Sequence, residues 1–162
     1  MIYQTPPKDE LLTQGDILDD CPIYRRAEDG VPIELVARII VLTQACDLAQ
    51  GKATRAVVAV VHSADVLVAS HAVKAATVRD QIRLGKVFGM YFLPASPAPL
   101  EFPESIVDLR DLHTLPIGVL NQLVADGKRV ARLATPFREH LAQHFAVTYV
   151  RIALPEPYAT NP

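Results

Sequence analysis

The chain has 162 residues, half of them hydrophobic, with a net charge of −2 and two cysteines. That length supports one domain with a sizeable core, and the hydrophobic fraction excludes a disordered chain. The longest uninterrupted aliphatic run, residues 56–61, falls far short of the roughly 20 residues that a membrane-spanning helix needs, and two cysteines are too few for a disulfide framework.

The first ten residues lack the basic-then-apolar layout of a secretory leader, which sets the expectation of a soluble, cytoplasmic protein with no membrane partner and no Cys21–Cys46 bridge. Residues 1–13 read as an extended, proline-bearing lead. Gly15 and Asp16 are turn residues that open a first strand near residues 14–18, with apolar residues 21–24 following and a polar loop at 25–30. Residues 35–43 form a strand whose two faces are both mostly apolar, the pattern of a strand covered on both sides. A second apolar strand follows at 55–61, and these two strands are the expected centre of the sheet. Ser63 suits the cap of a helix running to residue 84, where Gly85 supplies a left-handed stop. Residues 86–93 read as a strand, the proline-rich residues 94–100 as a connector, and residues 105–112 as a strand alternating Ile106, Asp108, Arg110 against Val107, Leu109, Asp111. A short helix at 117–124, a turn at Asp126-Gly127 and a long helix from Pro136, capped by Thr135, complete the pattern. Phe137, Leu141, Phe145, Thr148 or Tyr149, and Ile152 recur at helical spacing as a stripe to bury, and residues 155–162 read as an extended tail. The fold class expected is a single α+β domain, a small bent antiparallel sheet or SH3-like barrel with an inserted helix and a closing C-terminal helix.

Chemistry concentrates where the 35–43 strand ends, because Val41-Leu42-Thr43 gives way at once to Gln44, Cys46 and Asp47. Were the ends of the 35–43 and 55–61 strands to converge, Gln44, Cys46, Asp47, His62 and Ser63 would share one rim. Arg38 interrupts the apolar strand and must reach a carboxylate or solvent, with Asp16 and Asp108 as the partners considered. Cys46 suits a thiol nucleophile served by a histidine, or a small core residue. His140 and His144, four apart on the last helix, have metal-binding spacing, although no glutamate follows the first histidine and a third ligand such as Asp47 or Cys46 must come from elsewhere. Charge is unevenly spread: residues 1–50 carry nine acids and four bases, residues 110–151 six bases and three acids. Arg129, Arg132, Arg138 and Arg151 are accordingly either phosphate contacts or ordinary solvated charge.

The order of elements, with Gly15-Asp16-Ile17, the strand Ile39-Ile40-Val41-Leu42-Thr43, the strand from Val57 to Val61 and the run Ser105-Ile106-Val107-Asp108-Leu109-Arg110-Asp111-Leu112, resembles the MazF/PemK-like toxin family. The chain has Ala37-Arg38-Ile39 where that family places an Arg-Pro pair. The resemblance implies an SH3-like barrel, metal-independent endoribonuclease activity without a cofactor, homodimer formation and an antitoxin partner. Such cleavage needs a base for the ribose hydroxyl, a cation or donor for the phosphorane charge and an acid for the leaving oxygen. Arg38, Asp47 and His62 are the candidate catalytic residues for that RNA-directed reaction, and Gln44, Cys46, Ser63, His113, Arg132 and Arg138 the candidate binding residues. Two other readings stand beside it: a non-catalytic protein-interaction module of a multi-component bacterial system, and a metal-dependent hydrolase using His140 and His144.

Overall fold

The apolar runs do become strands, and they join one sheet. The computed structural model describes residues 1–150, so the expectations for Arg151, Ile152 and the 155–162 tail fall outside the described residues. Its elements are β1 (Tyr3–Gln4), β2 (Asp16–Arg26), β3 (Pro32–Val41), α1 (Ala45–Ala49), β4 (Arg55–Ser63), α2 (Ala64–Ala69), α3 (Ala75–Thr77) leading into a π-helical turn at Val78–Ile82, β5 (Met90–Leu93), β6 (Ser105–Pro116), α4 (Ile117–Ala125), β7 (Arg129–Leu133) and α5 (Phe137–Tyr149). All the strand pairs are antiparallel, in the order β1, β7, β2, β3, β4, β6, β5. The protein is therefore α+β, built on a seven-stranded open sheet.

That sheet is strongly bent. Its edge strands β1 and β5 would lie roughly 29 Å apart across six flat strand spacings, yet the Tyr3 hydroxyl on β1 donates to the Pro94 carbonyl just beyond β5 at 2.6 Å. The edges are bridged by this side chain and by the contact of the Tyr3 and Phe102 rings, 5.0 Å between centroids. No backbone ladder joins them, so of the two forms expected the bent sheet is the one adopted.

Period-two alternation then splits the central strands between two cores. Ile40, Ala59 and Val61 point into the concave side with Ile17, Tyr91, Leu93, Val107, Leu109, Leu133 and Leu141 of α5. Ile39, Val41, Ala56, Val58 and Val60 point to the opposite side, where Leu18, Ile23 and Leu120 of α4 cover them. A third, smaller cluster packs Ala64, Val78 and Ile82 on Ile106. Coverage of both faces is the reason residues 39–42 and 56–61 are apolar throughout.

Several local expectations change. The helix expected over 63–84 is broken into α2, α3 and the π-helical turn, because His71 takes a left-handed conformation (φ +59°). Ser63 sits at the start of α2 without a side-chain capping bond. The strand at 86–93 shortens to β5, and β7, which no alternation announced, closes the sheet between β1 and β2. Thr135 does not cap α5; Pro136 occupies that position and the Thr135 hydroxyl donates instead to Glu139 Oε1 at 3.1 Å. The lead is pinned down: Tyr3 and Leu12 are buried, and Arg129 Nη2 donates to the Pro7 carbonyl at 2.6 Å. Gly15, at φ +84°, makes the hook into β2, where a Cβ would lie 3.2 Å from Arg138 Cγ and 3.3 Å from Leu133 Cβ, closer than ordinary contact. Among the described residues no helix is long and apolar enough to cross a membrane.

Candidate functional site

Antiparallel pairing of β3 with β4 takes apart the rim expected from the sequence. Arg38 lies opposite Val61 and Val41 opposite Val58, so the end of β3 sits beside the beginning of β4. Gln44, Cys46 and Asp47 follow β3 into α1, whereas His62 and Ser63 close β4 at the other end. The Thr43 hydroxyl accepts the Val57 N–H at 2.8 Å. His62 is another five positions along β4, roughly 17 Å further at the rise of an antiparallel strand. Asp47 and His62 do not share a cleft, since neighbouring antiparallel strands finish at opposite ends of a sheet. Cys46 is exposed, with Gln44 Oε1 at 3.7 Å and Asp47 Oδ1 at 3.9 Å as its polar neighbours, and no imidazole bonds to it.

The basic candidates are already committed. Arg38 forks onto Asp19, not onto Asp16 or Asp108, with Nη2 to Oδ2 at 2.8 Å, and its guanidinium carbon lies 5.1 Å from the centre of the Phe102 ring. The bond to Asp19 raises the Arg38 pKa against the opposing effect of burial. The hollow beside Arg38 is lined by Asp19 and Asp20 as well, which repel phosphate. Arg132 is buried: Nε reaches Asp16 Oδ1 at 2.5 Å, Nη2 reaches the Leu11 carbonyl at 3.0 Å, and Nη1 bonds Glu10. It is a structural tie and not a phosphate contact. Arg138 pairs with Glu139 at 2.8 Å, and its side chain packs over Gly15. His62 lies near Asp108; burial would raise that carboxyl, but hydrogen bonds from Arg110, the Arg110 charge and His62 together hold it below the usual range.

His113 is the sequence candidate that the fold equips. The β4–β6 register jumps from Ala59 opposite Leu112 to Val60 opposite Asp108. Leu109, Arg110 and Asp111 consequently bulge out of the ladder. The bulge carries Asp111 to the side of His113, two residues on, and beneath the distal half of the β2–β3 hairpin. There Asp111 Oδ1 bonds His113 Nε2 at 2.8 Å, and Asp111 Oδ2 accepts from Arg25 Nη2 at 3.0 Å. A carboxylate on Nε2 selects the tautomer with the proton there, leaving the lone pair of a neutral His113 on Nδ1. The His113 side chain, 14% exposed, lines a groove of about 610 Å³ bounded by Pro22, Tyr24, Arg55, Pro116 and Val119. Arg55 anchors one guanidinium nitrogen on the Thr114 carbonyl at 2.6 Å. No carboxylate lines this groove, so its formal charge is positive. Base and cation thereby line one opening, with the orienting acid bonded to the base from outside the lining.

Asp111, Arg25 and Arg55 were not singled out by the sequence reading. The i, i+2 spacing of Asp111 and His113 does place both on one strand face, and it was the available signal; Arg25 and Arg55 come from distant strands and had none.

His140 and His144 share a different cleft, between β5 and α5. Among the described residues no three His, Cys, Asp or Glu side chains lie close enough to hold a metal ion, so neither Asp47 nor Cys46 completes a ligand set with this pair. The nearest polar partner of His140 is the Tyr91 hydroxyl, 3.0 Å from Nδ1.

No family model matches the chain, and no curated protein matches it either.

Proposed function

We propose that the protein is a divergent MazF/PemK-like endoribonuclease that cleaves RNA without a metal, with the groove around His113 as its reaction centre. The observation that carries this reading is the Asp111–His113 pair in one groove with Arg55. His113 Nδ1 takes the proton of a ribose 2′-hydroxyl, and the 2′-oxygen attacks the adjacent phosphorus. Arg55 offsets the charge that gathers on the phosphorane oxygens. The bond from phosphorus to the 5′-oxygen breaks, and that oxygen leaves with a proton from groove water, giving a 2′,3′-cyclic phosphate and a 5′-hydroxyl end. Asp111 does not react; it holds the imidazole tautomer and stabilises the imidazolium. The homodimer and antitoxin partner that the family resemblance implies belong to the same reading.

The test is cleavage of a mixed-sequence RNA by the purified chain in excess chelator. His113→Ala should abolish cleavage, and Asp111→Asn should lower kcat by about 10²-fold or more with KM little changed. Asp47→Ala and His62→Ala should leave the rate intact, because neither side chain lines the groove and His62 closes the far end of β4. Intact RNA at high protein excess, or full activity in His113→Ala, would end the proposal. A specific observation favours the interaction-module reading in that event: Tyr24 and Val36 are 66% and 64% exposed on the β2–β3 hairpin, a concentration of apolar surface suited to a protein partner.

A further inference from the structure

The cleft between β5 and α5 is separate from the groove around His113 and has a different chemical character. It measures about 220 Å³, and its polar lining consists of Arg83, Tyr91, His140 and His144 over an apolar floor that includes Met90 and Phe137. No carboxylate lines it. Every ionisable group it presents can donate a hydrogen bond, and none carries a fixed negative charge.

The donors are set by their neighbours. Tyr91 is 8% exposed, and burial pushes its pKa up to about 12, so the phenol keeps its proton. Its shorter contact is with His140 Nδ1 at 3.0 Å, against 3.5 Å to the Phe137 carbonyl at the outer limit of a hydrogen bond, which favours donation of that proton to the imidazole. With Nδ1 accepting, a neutral His140 carries its own proton on Nε2 and is a donor there. His144, one helical turn further along α5, has an Nε2 that is buried with no hydrogen-bond partner. A buried polar atom is costly to leave unsatisfied, and one in the wall of a cleft is a place for a partner that arrives from outside. Arg83 is exposed, and its Nε donates to the Arg79 carbonyl at 3.2 Å while the rest of the fork makes no ion pair with a described carboxylate. Arg79 and Lys86 stand in the same neighbourhood: Asp80 is held below the usual carboxylate range by its hydrogen bond with Arg79 and further by the charges of Arg79, Arg83 and Lys86.

We infer that this cleft is a binding site for a phosphomonoester group, held by the Arg83 guanidinium and by the Nε2 atoms of His140 and His144. Three separately mounted donors match the three terminal oxygens of a phosphoryl group, whereas a carboxylate has two oxygens to offer. The size of the cleft admits the phosphoryl group and a few further atoms, with the apolar floor beneath them. Tyr91 is a positioning residue, since its hydroxyl fixes which nitrogen of His140 donates. The site stands independently of the catalytic reading of the His113 groove, so either can fail alone. The phosphoryl group has two sources, a free nucleotide or the 5′ end of a processed RNA, and the experiment separates them.

The full chain, labelled with nitrogen-15, is titrated with inorganic phosphate while the side-chain resonances of its five histidines are followed. The expected result is a saturable shift of His140 and His144. Arg83→Ala, a change at an exposed position, should weaken the phosphate affinity by about tenfold. Tyr91→Phe should convert His140 from a single Nε2–H tautomer to a mixture, read directly from its nitrogen shifts, and weaken binding as well. Adenosine monophosphate binding more tightly than inorganic phosphate assigns the site to nucleotides; a preference for a 5′-phosphorylated over a 5′-hydroxyl oligoribonucleotide assigns it to RNA ends. Overturning results are a proportional drift of all the histidines without saturation, equal affinity in Arg83→Ala, or no discrimination between acetate and phosphate.

Discussion

Replacing Asp16 with asparagine is the sharpest test of how the lead and the closing strand are held. Asp16 is 0% exposed and accepts from Arg132 Nε at 2.5 Å, Arg132 Nη2 at 3.1 Å, Arg129 Nη1 at 3.2 Å and the Thr13 backbone N–H at 3.1 Å. The side chains of Arg129 and Arg132 are themselves only 4% and 6% exposed. The variant keeps the shape of the side chain but removes the charge and turns an NH2 group toward a guanidinium. Two buried cations are left with Glu10, itself half-exposed, as their remaining carboxylate. Breaking a buried ion pair from one side costs about 3–5 kcal/mol, which for a chain of this size lowers Tm by roughly 6–20 °C. In the wild type, burial opposes the Arg132 charge and the bonds to Asp16 and Glu10 outweigh that effect; in the variant the guanidinium still cannot escape the cost, because arginine does not give up its proton in a protein. Thermal and urea denaturation followed by circular dichroism measure the loss. Hydrogen exchange should show residues 7–11 opening first, because Arg129 and Arg132 hold the carbonyls of Pro7, Glu10 and Leu11. The double variant Asp16→Asn/Arg132→Met should cost less than the sum of the single variants, since it removes opposite members of one network. A Tm within about 2 °C of the wild type, or strictly additive costs, would refute the assignment of Arg132 to structure and return it to the surface as a phosphate contact.

Leu120 is fully buried where α4 covers β2, β3 and β4, so Leu120→Ala should cost about 2–5 kcal/mol in urea denaturation, against a change within about 0.5 kcal/mol for Val36→Ala on the exposed hairpin face. In the native protein a thiol reagent should label Cys46 at once and Cys21 only on unfolding, because Cys21 is 0% exposed and burial pushes its thiol up to about 11; simultaneous labelling of both would contradict the fold. Asp108 lies below its ordinary carboxylate pKa when folded. Its contribution to stability should therefore be complete above the unfolded value of about 3.9 and disappear as pH falls through the lower folded value. Asp108→Asn should flatten that part of the stability profile, and an unchanged acid limb would show that the Arg110 bonds add nothing.

Much of the scaffold was legible along the chain, because burial on both faces leaves an apolar run that needs no partner to be recognised. The strands around Ile39–Val41 and Val57–Val61, α4 and its Asp126-Gly127 stop, and the apolar positions Leu141 and Phe145 of α5 all follow from local periodicity and turn chemistry. What misled the reading was pairing geometry. A strand that ends in Gln44, Cys46 and Asp47 and a strand that ends in His62 look like two halves of one site until their directions are known, and an antiparallel register sends them apart. Arg38 and Arg132 show the same limit: a basic residue in an apolar stretch must find a partner, but which carboxylate it finds depends on contacts as distant in sequence as Asp16 is from Arg132.

The sequence by itself determined the α+β class, the double-sided central strands and the need to neutralise each interior charge, since these depend on residue type and spacing over a few neighbours. Only the tertiary structure decided which histidine meets a carboxylate. The β4–β6 register shifts at Leu109–Asp111, and that misfit between two strands, unreadable in either alone, sets the Asp111–His113 pair beside Arg25 and Arg55.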